Sequence, residues 1–160
     1  MRAFGASSGA MEFKSHMDQA LQEARAAATR GEVPVGAVVV APDGSVVAAA
    51  GNRTRELCDP TAHAEVLAIR DACRLAGSER LEGYDLYVTL EPCPMCAAAI
   101  SVARIRRLYY GAADPKSGGV AVGARVFAHP QCHHIPEVYD AIGASKAEAL
   151  LKEFFAIRRQ

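Results

Sequence analysis

The chain has 160 residues, 51% hydrophobic and 22% charged, with 18 basic against 18 acidic side chains and no net charge. That length and mixture suit one globular domain with a core of its own, and they exclude a low-complexity or collagen-like chain. The best apolar run, Val35 to Ala41, is far short of the ~20 residues a membrane helix needs, so no membrane partner is expected.

The first ten residues, Met1 to Ala10, are small and glycine- and serine-containing, with no apolar signal region. Residues 1–14 are therefore expected to form a disordered tail ahead of a single domain over 15–160, and Met11 is an alternative start. From Ser15 to Thr29, Met17, Ala20, Leu21, Ala24 and Ala28 recur at helical spacing. Two β-branched runs, Val35–Val40 and Ser45–Ala50, flank Pro42-Asp43-Gly44 and read as a hairpin. A helix follows over Ala62–Ala76 with Gly77 as its stop, then a strand over Asp85–Leu90, a helix over Pro94–Ala103 and a strand over Arg107–Gly111. The glycine-rich stretch Asp114–Gly123 and the segment around Cys132-His133-His134 read as irregular. Ser145-Lys146-Ala147-Glu148 fits a capping box ahead of a last helix carrying Leu150, Leu151, Phe154 and Ile157. This order predicts an α/β domain of three α/β/α layers around a mixed central sheet.

Two segments carry chemistry, His63-Ala64-Glu65 and Pro92-Cys93-Pro94-Met95-Cys96. Cys93 and Cys96 stand three apart at a helix start, so both sulfurs share one face, and the helix dipole favours the thiolates that a metal requires. With His63 they make three protein ligands, which leaves a fourth position for water, as in catalytic zinc sites. Glu65, two residues from His63, is placed to move protons without ligating. Alone, the Cys-x-x-Cys pair also fits buried apolar thiols or a redox pair. Five cysteines with such a pair point to a reducing compartment, the cytoplasm, rather than to a disulfide framework. Residues 1–99 hold 9 basic and 13 acidic side chains and residues 100–160 hold 9 and 5. The later part could therefore meet a polyanion, or simply present a solvated helical face.

His-x-Glu followed by Pro-Cys-x-x-Cys is the signature of zinc deaminases, and the chain resembles the cytidine deaminase-like superfamily. Further segments resemble its bacterial branch of tRNA-specific adenosine deaminases. They are Glu32-Val33-Pro34-Val35-Gly36-Ala37, Asn52-Arg53, Asp59-Pro60-Thr61-Ala62, Leu86 to Glu91, Tyr110 to Gly118, His129-Pro130 and Phe154 to Arg159. The resemblance implies one Zn2+ per subunit on His63, Cys93 and Cys96, with Glu65 as the catalytic proton carrier. It implies that Asn52 and the Ala64 N–H hold the base, and that Asp114, Lys116 and Ser117 line an anticodon-loop groove. Phe155 would stack on a base, while Arg158 and Arg159 would contact phosphate. Asn52 also fits a plain turn, Asp114 to Ser117 an ordinary polar loop, and the two arginines a solvated helix end. His129 or His133 could touch RNA, and Cys132-His133-His134 is read as loop rather than as a second metal site.

The implied activity is hydrolytic deamination of adenosine to inosine at the wobble position of a tRNA anticodon stem-loop by a cytoplasmic homodimer, with no DNA partner. Two alternatives stay open: a deaminase of free guanine, cytosine or a nucleoside, and a zinc-stabilised RNA-binding module without catalysis. Gly51 and the Ala112-Ala113 pair depart from the bulkier residues usual in the family, which bears on the details of substrate contact.

Overall fold

The structure is a computed structural model and describes residues 15–158. The expected tail over residues 1–14 and the phosphate contact assigned to Arg159 lie outside the described residues.

Helix α1, Met17–Thr29, buries Met17, Ala20, Leu21, Ala24 and Ala27 on one stripe. Strand β1, Gly36–Val40, is buried along its whole length. Its continuous valine run therefore reports cover on both faces. Alanines at α1 let β1 approach very closely: a Cβ on Gly36 would run into the Ala20 carbonyl oxygen and stand 2.6 Å from the Ala24 nitrogen. Strand β2, Val46–Gly51, pairs antiparallel with β1. Their turn is tied by Asp43, whose carboxylate accepts from the Ser45 N–H (2.9 Å) and hydroxyl (2.6 Å).

Helix α2, Ala64–Ala76, ends on Gly77 in the left-handed region, where glycine carries no Cβ penalty. It starts two residues later than the sequence predicts. Asp59 closes a polar turn on the Thr61 N–H and hydroxyl (2.9 and 2.7 Å), and His63 is extended at the cap position. Strand β3, Asp85–Leu90, leads into α3, Pro94–Val102, and β4, Arg107–Ala112, follows. Beyond a 3₁₀ turn at Val126–Ala128 comes β5, Glu137–Tyr139, then the last helix, α4, Ala144–Arg158.

The sheet order is β2-β1-β3-β4-β5, with the first two pairings antiparallel and the last two parallel. Strand β5 is absent from the sequence reading. All three of its residues are exposed, so it has no buried alternation to read, and only β4 defines it. Helix α4 begins one residue ahead of the expected cap, behind Gly143 at φ +70°. Ser145 therefore sits inside the first turn and the capping box is not at the helix start.

Alternation along the strands feeds two cores. Ala37, Val39, Leu86, Val88, Leu108 and Tyr110 face α2 and α3. Val38, Val40, Tyr87 and Tyr109 face α1 and α4. The result is the three-layer α/β/α fold with a mixed sheet. On the α1 side Tyr87 stacks on Tyr109 at 4.3 Å and Tyr109 on Tyr139 at 5.0 Å, an aromatic ladder across the three parallel strands.

Candidate metal centre and active site

His63 and Cys93 are the cap residues of α2 and α3. Pro94 in the first turn of α3 gives up an N–H that has no helical partner there, and the Ala97 N–H donates to the Cys93 carbonyl at 2.8 Å. Two helix N-termini thus converge from the sheet, and their dipoles favour anionic ligands. His63 Nδ1 lies 3.6 Å from Cys93 Sγ and 3.4 Å from Cys96 Sγ. All three ligand atoms fall within 4.8 Å of one another. Tetrahedral zinc with bonds of about 2.0–2.1 Å to nitrogen and 2.3 Å to sulfur would set those atoms about 3.6 Å apart. The spacing and the imidazole–thiolate donor set fit zinc. Among the described residues no other group of three metal-ligating side chains exists.

The electrostatics agree with that role. A hydrogen bond from the Cys96 thiol, helped by His63, holds Cys93 at about 4 against the opposing effect of burial. The Cys96 thiol is pushed far above its ordinary range by the bond it gives Cys93 and by burial. The lowered Cys93 thiol beside His63 supplies the thiolate character that a divalent cation requires of its ligands. The bond with Cys93 raises His63 despite burial. Glu65 is 4% exposed, and burial, only partly offset by its hydrogen bonds and by His63, pushes its carboxyl up to about 7. A carboxyl poised near neutrality can both take and return a proton.

These side chains lie in a cavity of about 250 Å³, lined by His63, Glu65, Cys93, Asn52, Asp114 and Ser117 among others. It is smaller than pockets for drug-sized ligands. Asn52 Oδ1 accepts the Ala64 N–H at 2.8 Å. The amide carbonyl is therefore engaged within the protein, its NH2 remains as a donor for a ligand, and any use of the Ala64 N–H by a base shares that donor. A larger cavity of about 690 Å³ adjoins, with Val33, Leu90, Asp114 and Ser117 common to both. Lys116, Phe155 and Arg158 line it too.

Asn52, His63, Glu65, Cys93, Asp114, Lys116, Ser117, Phe155 and Arg158 therefore line these two adjoining cavities, although they come from five separate elements and loops. Phe154 is 9% exposed and Phe155 41%, so the first is core and the second faces the groove. Arg158 is already engaged: it donates to the Gly31 carbonyl at 2.7 Å and lies 4.3 Å over the Phe154 ring. Asp114 Oδ1 accepts the Lys116 and Ser117 N–H groups at 3.2 and 3.0 Å, which shapes the loop that presents them.

In Cys132-His133-His134 the first and last residues make structural contacts, while His133 is exposed. Cys132 donates to the His134 carbonyl (3.1 Å), as does Ser101 (2.7 Å), and His134 Nε2 bonds the Ile105 carbonyl at 2.7 Å. With His129 and His133 this segment borders a separate cavity over α3 that shares no residue with the groove.

Sequence reasoning missed Thr54 and Glu91 in the wall of the small cavity. A glutamate directly before Pro-Cys, within an otherwise apolar strand end, was the signal for the second.

The chain matches the model of the cytidine and deoxycytidylate deaminase zinc-binding region over residues 11–112. It is 61% identical over 143 residues to a tRNA-specific adenosine deaminase of Agrobacterium fabrum, covering 89% of this chain and 93% of that one. It is 46% identical over 140 residues to a tRNA-specific adenosine deaminase of Rickettsia typhi, covering 87% and 95%. A solved structure from work on A-to-I editing by tRNA:A34 deaminases at the wobble position superposes with a TM-score of 0.83 at 62% identity, covering 84% of this chain and 97% of that one.

Proposed function

Because the chain belongs to the tRNA-specific adenosine deaminases of the cytidine and deoxycytidylate deaminase family, we propose that it converts adenosine to inosine at the wobble position of a tRNA anticodon loop. The observation that carries this is the small cavity lined by Glu65, His63 and Cys93, which shares Val33, Leu90, Asp114 and Ser117 with a larger groove bearing Lys116 and Phe155. A deaminase of free bases has no need of that groove. An unpaired anticodon base also enters such a cavity at a lower cost than one drawn from a duplex.

His63, Cys93 and Cys96 would hold one zinc ion per subunit, which would supply the activation of water at neutral pH. Glu65 does the proton work. As a carboxylate it takes a proton from the attacking water and passes it to the purine ring nitrogen, then takes the remaining proton from the hydroxyl on the six-position carbon and gives it to the departing amine. Ammonia leaves and the six-position keeps the oxygen, so inosine remains. Asn52 orients the base through its NH2, and the burial that keeps Glu65 near neutrality also keeps bulk water from the reacting atoms. Asp114 and Ser117 border both cavities, Lys116 and Arg158 neutralise backbone phosphates, and Phe155 offers a face for stacking. Residues 15–160 act as one catalytic domain, working in the cytoplasm as a homodimer.

The test compares an anticodon stem-loop with free adenosine, cytosine and guanine as substrates. Inosine should form in the stem-loop alone. Turnover of only the free compounds would make this a base deaminase, and stem-loop binding without turnover would make it a zinc-stabilised RNA-binding module.

A further inference from the structure

Glu91 is a carboxylate only 2% exposed, and neither the metal chemistry nor the proton transfers above use it. Its Oε1 accepts the Asp114 N–H at 3.1 Å, and its Oε2 accepts the Val120 and Ala121 N–H groups at 3.2 and 2.9 Å. A buried charge is tolerated only when its bonds are met, and charge-assisted bonds are the strong ones. Here they all fall on one segment, 114–121. That segment carries Asp114, Lys116 and Ser117 of the groove wall.

The backbone is fitted to this arrangement. A Cβ on Gly118 would stand 2.5 Å from Glu91 Oε2, and one on Gly119 would stand 2.6 Å from the Pro94 nitrogen. The Gly119 N–H donates to the Pro92 carbonyl at 2.8 Å. Glu91 lies two residues before Cys93, so the same turn carries a metal ligand and the anchor of the wall.

We propose that Glu91 is a positioning residue whose carboxylate locks the groove wall 114–121 onto the turn that bears Cys93, fixing the RNA contacts relative to the reacting centre. The RNA part rests on the function proposed above. A glutamine cannot replace it, because in either orientation its NH2 would face a donor, the Asp114 N–H or those of Val120 and Ala121.

The test is Glu91→Gln, read by three measurements. KM for the anticodon stem-loop should rise by roughly tenfold or more with kcat much less affected, since misplaced contacts weaken productive binding. Zinc content should stay at the wild-type level. Amide hydrogen exchange should speed up in the peptide covering 114–121 and not in that covering 94–102. Unchanged exchange in 114–121 overturns the proposal, as does a loosened loop with an unchanged KM, or a loss of zinc with a fall in kcat at an unchanged KM. If wild-type protein leaves the stem-loop unreacted, the proposed function fails, and the exchange comparison still decides whether Glu91 holds the wall. Should Glu91→Gln not fold, Gly118→Ala presses on the same carboxylate from the loop side and should give the same selective loosening.

Discussion

Glu65 stands on the first turn of α2, two residues from His63, and its burial is the reason its carboxyl is pushed up to about 7. The pattern His-x-Glu suggests proximity to a metal, but it does not announce burial, and burial is what suits the group to the proton transfers proposed above rather than to an ordinary surface position. Glu65→Gln should lower inosine formation by about 10²–10⁴-fold while zinc content, measured by metal analysis, stays at the wild-type level. Loss of zinc in that variant would assign Glu65 to the ligand set instead. Asn52 makes the same point in another way. The sequence offers an amide after a hairpin, and the fold decides that its carbonyl is taken by Ala64.

Loops and strands give the second scale. Glu32, 1% exposed, receives the Glu56 N–H at 2.8 Å, the Arg55 N–H at 3.2 Å and the Thr54 hydroxyl at 3.3 Å, so it holds the opposite wall of the cavity, where Thr54 lies. Burial pushes its carboxyl up, but these bonds outweigh it and hold the group below the ordinary carboxylate value of 4.5. A pKa depressed in the folded state adds stability above the unfolded value, and that stability is lost as pH falls through the folded value. Glu32→Gln should therefore lower Tm at pH 7, and the gap to wild type should narrow steadily below about pH 4.5; a gap independent of pH would remove the carboxylate from the account. At the contact between α1 and β1, Gly36→Ala should cost about 1–3 kcal/mol or more, checked by urea denaturation, because backbone atoms of α1 occupy the place of the new methyl. The helices were legible because each buries one regular stripe, and the hairpin because two β-branched runs flank the Pro42-Asp43-Gly44 turn. Strand β5 and the start of α2 were not, since one is defined by its neighbour and the other by a side-chain turn at Asp59.

Across the whole molecule the net charge is zero, so affinity for RNA must come from local placement rather than from the overall field. Lys116 lines the groove on the proposed RNA path. Lys116→Ala should weaken stem-loop binding and flatten the plot of log K against log salt by about 0.7–1 in slope, whereas an unchanged slope would place Lys116 off that path. The sequence by itself determined the three-layer order of elements and singled out His63, Cys93 and Cys96 as a candidate donor set with Glu65 beside it. The elements and the spacing within His63-Ala64-Glu65 and within Cys93 to Cys96 are local, because a helix turn or an alternating strand translates distance along the chain directly into a shared face. The tertiary structure alone decided which groups meet across the chain: the cavity around Asn52 and Glu65, the larger cavity beside it with Phe155, and the two buried carboxylates, Glu32 and Glu91, bonded to backbone N–H groups of their walls. A glutamate in sequence is a surface charge until folding removes its water and supplies backbone N–H groups instead. That exchange depends on residues more than twenty positions away.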